Sequence, residues 1–403
     1  MRTKLVGRLV LILFGVGVVE VGLQAFSRLL PTVYGHALGG DSHFNARVAV
    51  PDDQLGHRPT TRHPEHDANG FRNPSVPASA DIVTMGDSQT YGAQVSPADP
   101  WPRRLAEKTG KVVYNMGFGG WCPGQYLLLM PQALKFKPKV IVTEFYSGND
   151  LYDCFSVAYY NGQLSEFRTQ SEADQREIRE MEARQTLKQY VPTTYLKKKP
   201  IEERPFLHRI QARIDDHVRL AHVLERLREL YRERYSPPDW DDIKDEYSDY
   251  VRCDIFEGPT AKTVLTPYSR LAGADLGDAR IREGFRIALA SLKRMDEMAR
   301  AAGASHVIFL LPTKELVFKE EVNRHGGGGT EVYRRQVANE EEIWRQSRAY
   351  LEGNKLRYFD SLPLLQKALA EGNPPFPMSE DGHLNPGGHR VIADAVASQI
   401  MGL

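Results

Sequence analysis

The sequence has few cysteines and no excess of either charge. Its 403 residues contain three cysteines, and none of them has the Cys-x-x-Cys spacing that is typical of zinc and redox sites. We therefore expect Cys122, Cys154 and Cys253 to be buried or partly buried free thiols, a reading favoured over a disulfide. The 52 basic and 52 acidic residues cancel, which leaves no overall field to attract nucleic acid. No nucleic-acid partner is expected.

Long apolar runs are also scarce, and the longest lies near the N-terminus. It covers residues 9–19, follows three basic residues, and is broken by Glu20 before it fades near residue 26. About 18 residues at ~1.5 Å each reach about 27 Å, just enough to cross a thin bilayer. No clear small-x-small cleavage site follows, so an uncleaved membrane anchor is favoured for residues 1–30, and a cleaved signal peptide stays the alternative. The basic residues before it place the remaining chain outside the cytoplasm, on a periplasmic or extracellular side.

Residues 31–79 lack periodicity and are rich in Pro, His, Asp and Asn, which predicts an extended connector over the surface of the following domain. His57, His63 and His66 lie close together there and could suggest a metal site. They have no helical spacing that would bring the imidazoles together, so a solvated loop is favoured. No metal or cofactor is expected.

Three β-branched runs, each followed by small and polar residues, open the next segment. Residues 82–84 precede Gly86-Asp87-Ser88, residues 111–115 precede a glycine-rich loop over 116–121, and residues 140–146 precede Ser147-Gly148-Asn149-Asp150. Such runs predict short buried strands. Strands of a parallel sheet end at one edge, so these loops should meet there.

After these strands, residues 156–278 are densely charged with helical periodicity, which predicts a mostly helical insertion. The strand pattern resumes at 305–311 and 356–359. The chain then reaches Asp381-Gly382-His383, followed by Asn385 and Pro386, which suit the start of a last helix. His383 should therefore lie on a loop just before that helix.

Taken in order, the four blocks Gly86-Asp87-Ser88, the glycine loop, Gly148-Asn149-Asp150 and Asp381-x-His383 resemble those of the SGNH, or GDSL-type, hydrolases. The α/β-hydrolase family is excluded because no Gly-x-Ser-x-Gly elbow is present. The resemblance implies an α/β fold: a three-layer, flavodoxin-like parallel sheet of about five strands. It covers residues 80–155 and 279–403, on either side of the insertion.

The resemblance also implies residue roles. Ser88 is the expected nucleophile, His383 the general base, and Asp381 the acid that orients the imidazole. The oxyanion hole is expected to consist of the Ser88 amide, the Gly120 amide and the Asn149 side chain.

Two features keep alternatives open. The block Asp381-x-His383 has one intervening residue where the commoner family spacing has two, so a dyad of Ser88 and His383 is an alternative to the triad. His389 is a second, weaker candidate for the base.

The expected function is a serine esterase that hydrolyses an acyl ester, for example an O-acetyl group on a carbohydrate or lipid. The first alternative is an O-acyltransferase that passes the acyl group to an envelope polysaccharide. The second is a non-catalytic envelope protein that binds glycans or a partner. The sequence carries no signal for an oligomeric state.

Overall fold

The computed structural model describes residues 2–29, 48–220, 223–224 and 238–401. Part of the predicted connector, residues 31–47, lies outside the described residues. The chain divides into two compact units, one formed by residues 1–47 and 197–251 and the other by residues 48–196 and 252–403.

Strands and helices in the described residues alternate along most of the chain. The strands are β1 Ala49–Asp52, β2 Gly56–Pro59, β3 Ile82–Met85, β4 Val113–Asn115, β5 Val140–Tyr146, β6 Lys197–Lys198, β7 Tyr250–Val251, β8 Asp254–Glu257, β9 Lys262–Leu265, β10 Ser305–Leu311 and β11 Tyr358–Asp360. The helices are α1 Arg2–Leu29, α2 Ser88–Tyr91, α3 Trp101–Thr109, α4 Pro123–Leu134, α5 Asp150–Tyr159, α6 Glu172–Arg184, α7 Leu187–Tyr190, α8 Phe206–His217, α9 Trp240–Ser248, α10 Pro267–Ala274, α11 Ala279–Ala301, α12 Lys314–Val317, α13 Lys319–His325, α14 Glu331–Gly353, α15 Leu362–Ala370 and α16 Pro386–Ile400.

A five-stranded parallel sheet forms the centre of the larger unit, in the order β11-β10-β5-β3-β4. Numbered by their place along the chain, these strands have the order 2-1-3-4-5, which is that of flavodoxin-like folds. The predicted α/β class and parallel sheet are confirmed. Every residue of β3 and β5 is buried, as expected of parallel strands covered on both faces.

Helices cover both faces of this sheet. Phe309 of β10 pairs in register with Glu144 of β5, so Phe309 and the next residue of β5, Phe145, point to opposite faces. Trp101 of α3 packs on Phe309 at 5.3 Å between ring centroids, and Phe285 of α11 packs near Phe145 at 6.2 Å. The larger unit therefore has three layers, with the sheet in the middle.

The predicted insertion, residues 156–278, holds helices α6 to α10 and also strands. Strands β6 and β7 pair in the smaller unit, and β8 and β9 pair in the larger one. The amide of Val264 in β9 donates to the carbonyl oxygen of Met378 at 2.9 Å. This contact joins the end of the insertion to the loop that leads to His383.

The N-terminal helix α1 covers the segment predicted as a membrane anchor. Both carboxylate oxygens of Glu20 accept backbone amides, from Arg219 and Leu220, at 2.7 Å each. Among the residues that the structure describes, no helix has the length and apolar character needed to cross a membrane. The predicted transmembrane span is therefore not found.

Candidate active site

The turn after β3 presents Ser88. The strand ends at Met85, and the Asp87 side chain caps the short helix α2 by accepting the Gln89 amide at 2.7 Å. Only glycine fits at position 86, because a Cβ atom there would lie 2.1 Å from Thr90 Oγ1. Ser88 is the first residue of the helix and is partly exposed at the carboxyl end of the sheet.

His383 and Asp381 complete a hydrogen-bonded chain with this serine. His383 Nε2 lies 2.8 Å from Ser88 Oγ, and His383 Nδ1 lies 2.6 Å from Asp381 Oδ1. The same Asp381 oxygen accepts the backbone amide of His383 at 2.9 Å. A single residue between Asp381 and His383 is therefore enough for their hydrogen bond, because the loop turns so that both the ring and the backbone amide of His383 face the Asp381 carboxylate.

Asp381 is suited to the ionised state in this arrangement. Its burial raises the pKa, but the hydrogen bonds and charge of His383 outweigh burial, and the pKa is lowered overall. A carboxylate at this place favours a proton on His383 Nδ1 and leaves Nε2 as an acceptor toward the serine. The arrangement can therefore remove a proton from Ser88.

Gln89 holds the histidine loop and was not predicted. Its side-chain Nε2 donates to the Gly382 carbonyl oxygen, and its Oε1 accepts the Leu384 amide, both at 2.9 Å. The two bonds lie on either side of His383, so the residue after the serine positions the residue that would act as its base. Its place directly after Ser88 was the one available signal in the sequence.

Lys314 supports the same loop from α12. Its ammonium group donates to the carbonyl oxygens of Pro377 at 2.8 Å, Ser379 at 2.6 Å and Asp381 at 3.3 Å. The side chain is 1% exposed, and burial lowers its pKa to about 7. This lysine was also missed, since a Lys beside a helix start has no distinctive spacing.

Gly120 and Asn149, the predicted oxyanion donors, lie on the two loops beside this turn. Gly120 has φ +72°, a conformation that favours glycine. Its neighbour Gly119 faces the serine, because a Cβ atom at Gly119 would lie 3.6 Å from Ser88 Cβ. Asn149 caps α5, and its Nδ2 donates to Asp153 Oδ2 at 2.6 Å. The Asn149 side chain also forms a hydrogen bond with Asp87, which lowers the pKa of that buried acid against the larger effect of burial.

His57 contacts the glycine loop, whereas the sequence predicted a solvated position. Its Nε2 donates to the Gly119 carbonyl oxygen at 2.8 Å, and the ring packs near Phe118 and Trp121. The hairpin of β1 and β2 brings it there. The hairpin of the predicted connector therefore contacts the glycine loop through His57.

His66 lies near the same loop, with its ring centroid 6.4 Å from that of Phe118 and 4.6 Å from that of His63. His66 bonds to the Thr60 carbonyl oxygen at 2.7 Å and the Tyr91 hydroxyl at 2.9 Å. Within the described ranges, no group of three His, Cys, Asp or Glu side chains is placed to hold a metal.

His389, the second candidate for the base, lies in the interior of the protein. It is fully buried, and its Nδ1 accepts the Trp101 amide at 3.3 Å. Burial lowers its pKa to about 3. The structure brings His383, and not His389, to the hydroxyl of Ser88.

A group of buried carboxyl groups lies under the serine turn. Asp87 and Glu144 are close enough to share a hydrogen bond, and the Thr90 hydroxyl donates to Glu144. Burial raises the pKa of both acids, and raises that of the nearby Asp150 well above its usual range. These acids therefore retain protons in the folded protein at pH values where an exposed carboxyl is ionised.

Comparisons with known proteins give matches at the level of structure. No protein-family model and no curated protein matches the chain. A GDSL-like lipase from Bacteroides thetaiotaomicron VPI-5482 is 11% identical, with 79% of this chain and 87% of that chain covered and a TM-score of 0.32. A lipolytic protein of the G-D-S-L family from Desulfitobacterium hafniense DCB-2 is 10% identical, with 79% and 98% covered and a TM-score of 0.34.

A third solved structure is a catalytic mutant of an acetylxylan esterase from Geobacillus stearothermophilus. It is 10% identical, with 81% of this chain and 96% of that chain covered and a TM-score of 0.34.

Proposed function

We propose that this chain is a serine esterase of the SGNH type, which hydrolyses an acyl ester through an acyl-serine intermediate. The observation that supports this most directly is the continuous chain from Ser88 Oγ to His383 Nε2 and from His383 Nδ1 to Asp381, at 2.8 and 2.6 Å. Both distances are within the reach required of a nucleophile, its base and an orienting acid.

The reaction follows from these contacts. Ser88 Oγ attacks the ester carbonyl carbon while its proton passes to His383 Nε2, and the carbonyl oxygen becomes the oxyanion. The amides of Ser88 and Gly120 and the side chain of Asn149 would stabilise that charge. His383 then protonates the leaving alcohol, which departs and leaves the acyl-serine. Water, deprotonated by His383, attacks the acyl carbon and releases the acid and the free serine.

The substrate we propose is a short acyl ester, such as an O-acetyl group, on a large alcohol such as a carbohydrate or lipid. Ser88 is partly exposed, and the His383 side chain is 29% exposed. A cavity of about 460 Å³ is lined by Arg72 and Asn115, among others, and neither Ser88 nor His383 is part of its lining. An open reaction centre favours a bulky leaving alcohol over a long acyl chain that needs a deep tunnel.

Location outside the cytoplasm is also part of the proposal, and it depends on the sequence of residues 2–29 alone. Fractionation of cells that produce the full chain tests it. The protein should be recovered outside the cytoplasmic fraction and should be accessible to protease in cells whose outer layer has been opened. Recovery with cytoplasmic markers would refute this part of the proposal and leave the chemistry untouched.

A fluorophosphonate probe, which labels activated serines, tests the chemistry. The full chain should be labelled, and Ser88→Ala and His383→Ala should both abolish labelling. Ser96→Ala removes an exposed serine hydroxyl bonded to Asp99 and is the matched control. Labelling that survives in Ser88→Ala would refute the assignment.

Turnover of an acetyl ester distinguishes a triad from a dyad. Asp381→Asn keeps an acceptor beside His383 but removes the charge, so a triad predicts a loss of about a hundredfold or more in kcat for an acetyl ester. A loss below about threefold would indicate a dyad of Ser88 and His383.

A further inference from the structure

Cys122 and Cys154 face each other in the interior of the larger unit. Their sulfur atoms are 2.7 Å apart, and both side chains are 0% exposed. This separation is shorter than the contact of two sulfur atoms that share no bond, and a small approach would bring it to the length of a disulfide, about 2.05 Å. The third cysteine, Cys253, is only partly buried.

The two thiols lie on the elements that carry the candidate oxyanion donors. Cys122 follows Gly120 by two residues and is the N-cap of α4, while Cys154 lies on α5, whose N-cap is Asn149. Helices α4 and α5 contact each other. A covalent bond between the two cysteines would therefore join the start of α4, which follows the glycine loop, to α5, which follows Asn149.

We propose that Cys122 and Cys154 form a disulfide when the protein folds in an oxidising compartment. The two thiols lose two protons and two electrons and gain one S–S bond. The oxidant is a small or protein disulfide, such as oxidised glutathione, which takes up the electrons and protons and becomes two thiols.

The bond forms before the core closes. A thiolate is the species that attacks a disulfide, and burial raises the pKa of both Cys122 and Cys154 in the folded protein. Both sulfurs are also inaccessible once the core has formed. Folded, reduced protein should therefore react slowly with the oxidant, and protein refolded in its presence should be cross-linked.

Two consequences follow, of which the second depends on the proposed function. The cross-link closes a loop over residues 122–154, which restricts the unfolded chain, so the oxidised protein should melt about 5 °C or more above the reduced protein. It should also hold the two oxyanion loops together, so reduction should lower kcat for an acetyl ester by about threefold to tenfold.

Peptide mapping of the full chain tests the bond without any measurement of activity. The protein is refolded with a glutathione redox buffer, denatured without reductant, alkylated and digested. The expected result is one cross-linked peptide pair that contains Cys122 and Cys154, alkylated Cys253, and an intact mass about 2 Da below that of the reduced chain. Cys253→Ser should keep the cross-link, and Cys122→Ser and Cys154→Ser should each lose it.

Alkylation of all three cysteines after oxidative refolding would overturn the proposal, as would a cross-link that involves Cys253. An inactive protein that still shows the Cys122–Cys154 peptide would refute the esterase and leave the disulfide established.

Discussion

The backbone amide of Leu384 donates to the side-chain oxygen of Gln89 at 2.9 Å, while the Gln89 side-chain nitrogen donates to Gly382. The residue next to the candidate nucleophile thus binds both neighbours of the candidate base. Ser88 and His383 are 295 positions apart in the chain. The Gln89 side chain links the serine turn directly to the histidine loop, because it is bonded to the residues on both sides of His383.

Gln89→Leu should lower kcat by about tenfold to a hundredfold with little change in KM. It removes two hydrogen bonds worth about 0.5–1.5 kcal/mol each and frees His383 to move from Ser88. Steady-state kinetics with an acetyl ester measure the effect. Gln336→Leu removes another buried glutamine, bonded to Thr313 and Glu340, and should lower stability while kcat stays near wild type. Equal losses of kcat in both variants would contradict a specific role for Gln89.

Asn149→Ala should lower kcat by about a hundredfold to a thousandfold, because one donor to the oxyanion is lost and the serine and histidine remain in place. Fluorophosphonate labelling of the variant should be slower than in wild type but still depend on Ser88. Asn354→Ala changes an asparagine at the end of α14 and should keep full activity. Unchanged turnover in Asn149→Ala would remove Asn149 from the oxyanion hole.

Lys314 should give the enzyme a pH dependence of its own. Burial lowers its pKa to about 7, and only the charged amine has three hydrogens for the three carbonyl oxygens it contacts. Lys314→Met should lower kcat by about tenfold at pH 6, and the ratio of wild-type to variant kcat should fall as pH rises above 7. A ratio that is constant from pH 6 to pH 9 would contradict a role for the charge.

The stability of wild type relative to Lys314→Met should rise with pH. Above pH 7 the folded protein has released the Lys314 proton, while the unfolded chain keeps it up to about pH 10.4. The unfolded state then binds more protons, so the stability of wild type should rise from pH 7 to pH 10 relative to Lys314→Met. Thermal melts at pH 6 and pH 9 measure it, with Lys293→Met, an exposed lysine, as the control.

Glu144→Gln should have an effect on stability that grows with pH. Burial raises the pKa of Glu144 well above its usual value, so the folded protein holds a proton that the unfolded chain loses above about pH 4.3. Wild-type stability therefore falls as pH rises, whereas glutamine has no proton to lose. Its amide can still accept from Thr90 and donate to Asp87. The melting temperature of Glu144→Gln relative to wild type should increase between pH 5 and pH 8.

Glu166→Gln, at an exposed glutamate, should show no such trend in melting temperature. A difference between Glu144→Gln and wild type that shrinks with rising pH would mean that Glu144 is ionised in the folded protein.

The strands and their loops were accessible from the sequence, because buried parallel strands are runs of β-branched and aromatic residues. The predicted ranges 140–146 and 305–311 match β5 and β10 in full, and Ile82, Val83 and Thr84 lie in β3. The N-terminal helix forms where expected, but within the part of the chain that the structure describes no helix is long and apolar enough to be the predicted span.

The sequence by itself determined the parallel α/β architecture and the turn that displays Ser88, since both depend on local periodicity and on a glycine that no side chain can replace. Only the tertiary structure decided that Gln89, Lys314 and His57 support the site, that His389 is buried, and that Cys122 meets Cys154. Each of these is a contact between segments far apart in the chain. Such contacts depend on how the layers pack, and no local spacing of residues in the sequence predicts them.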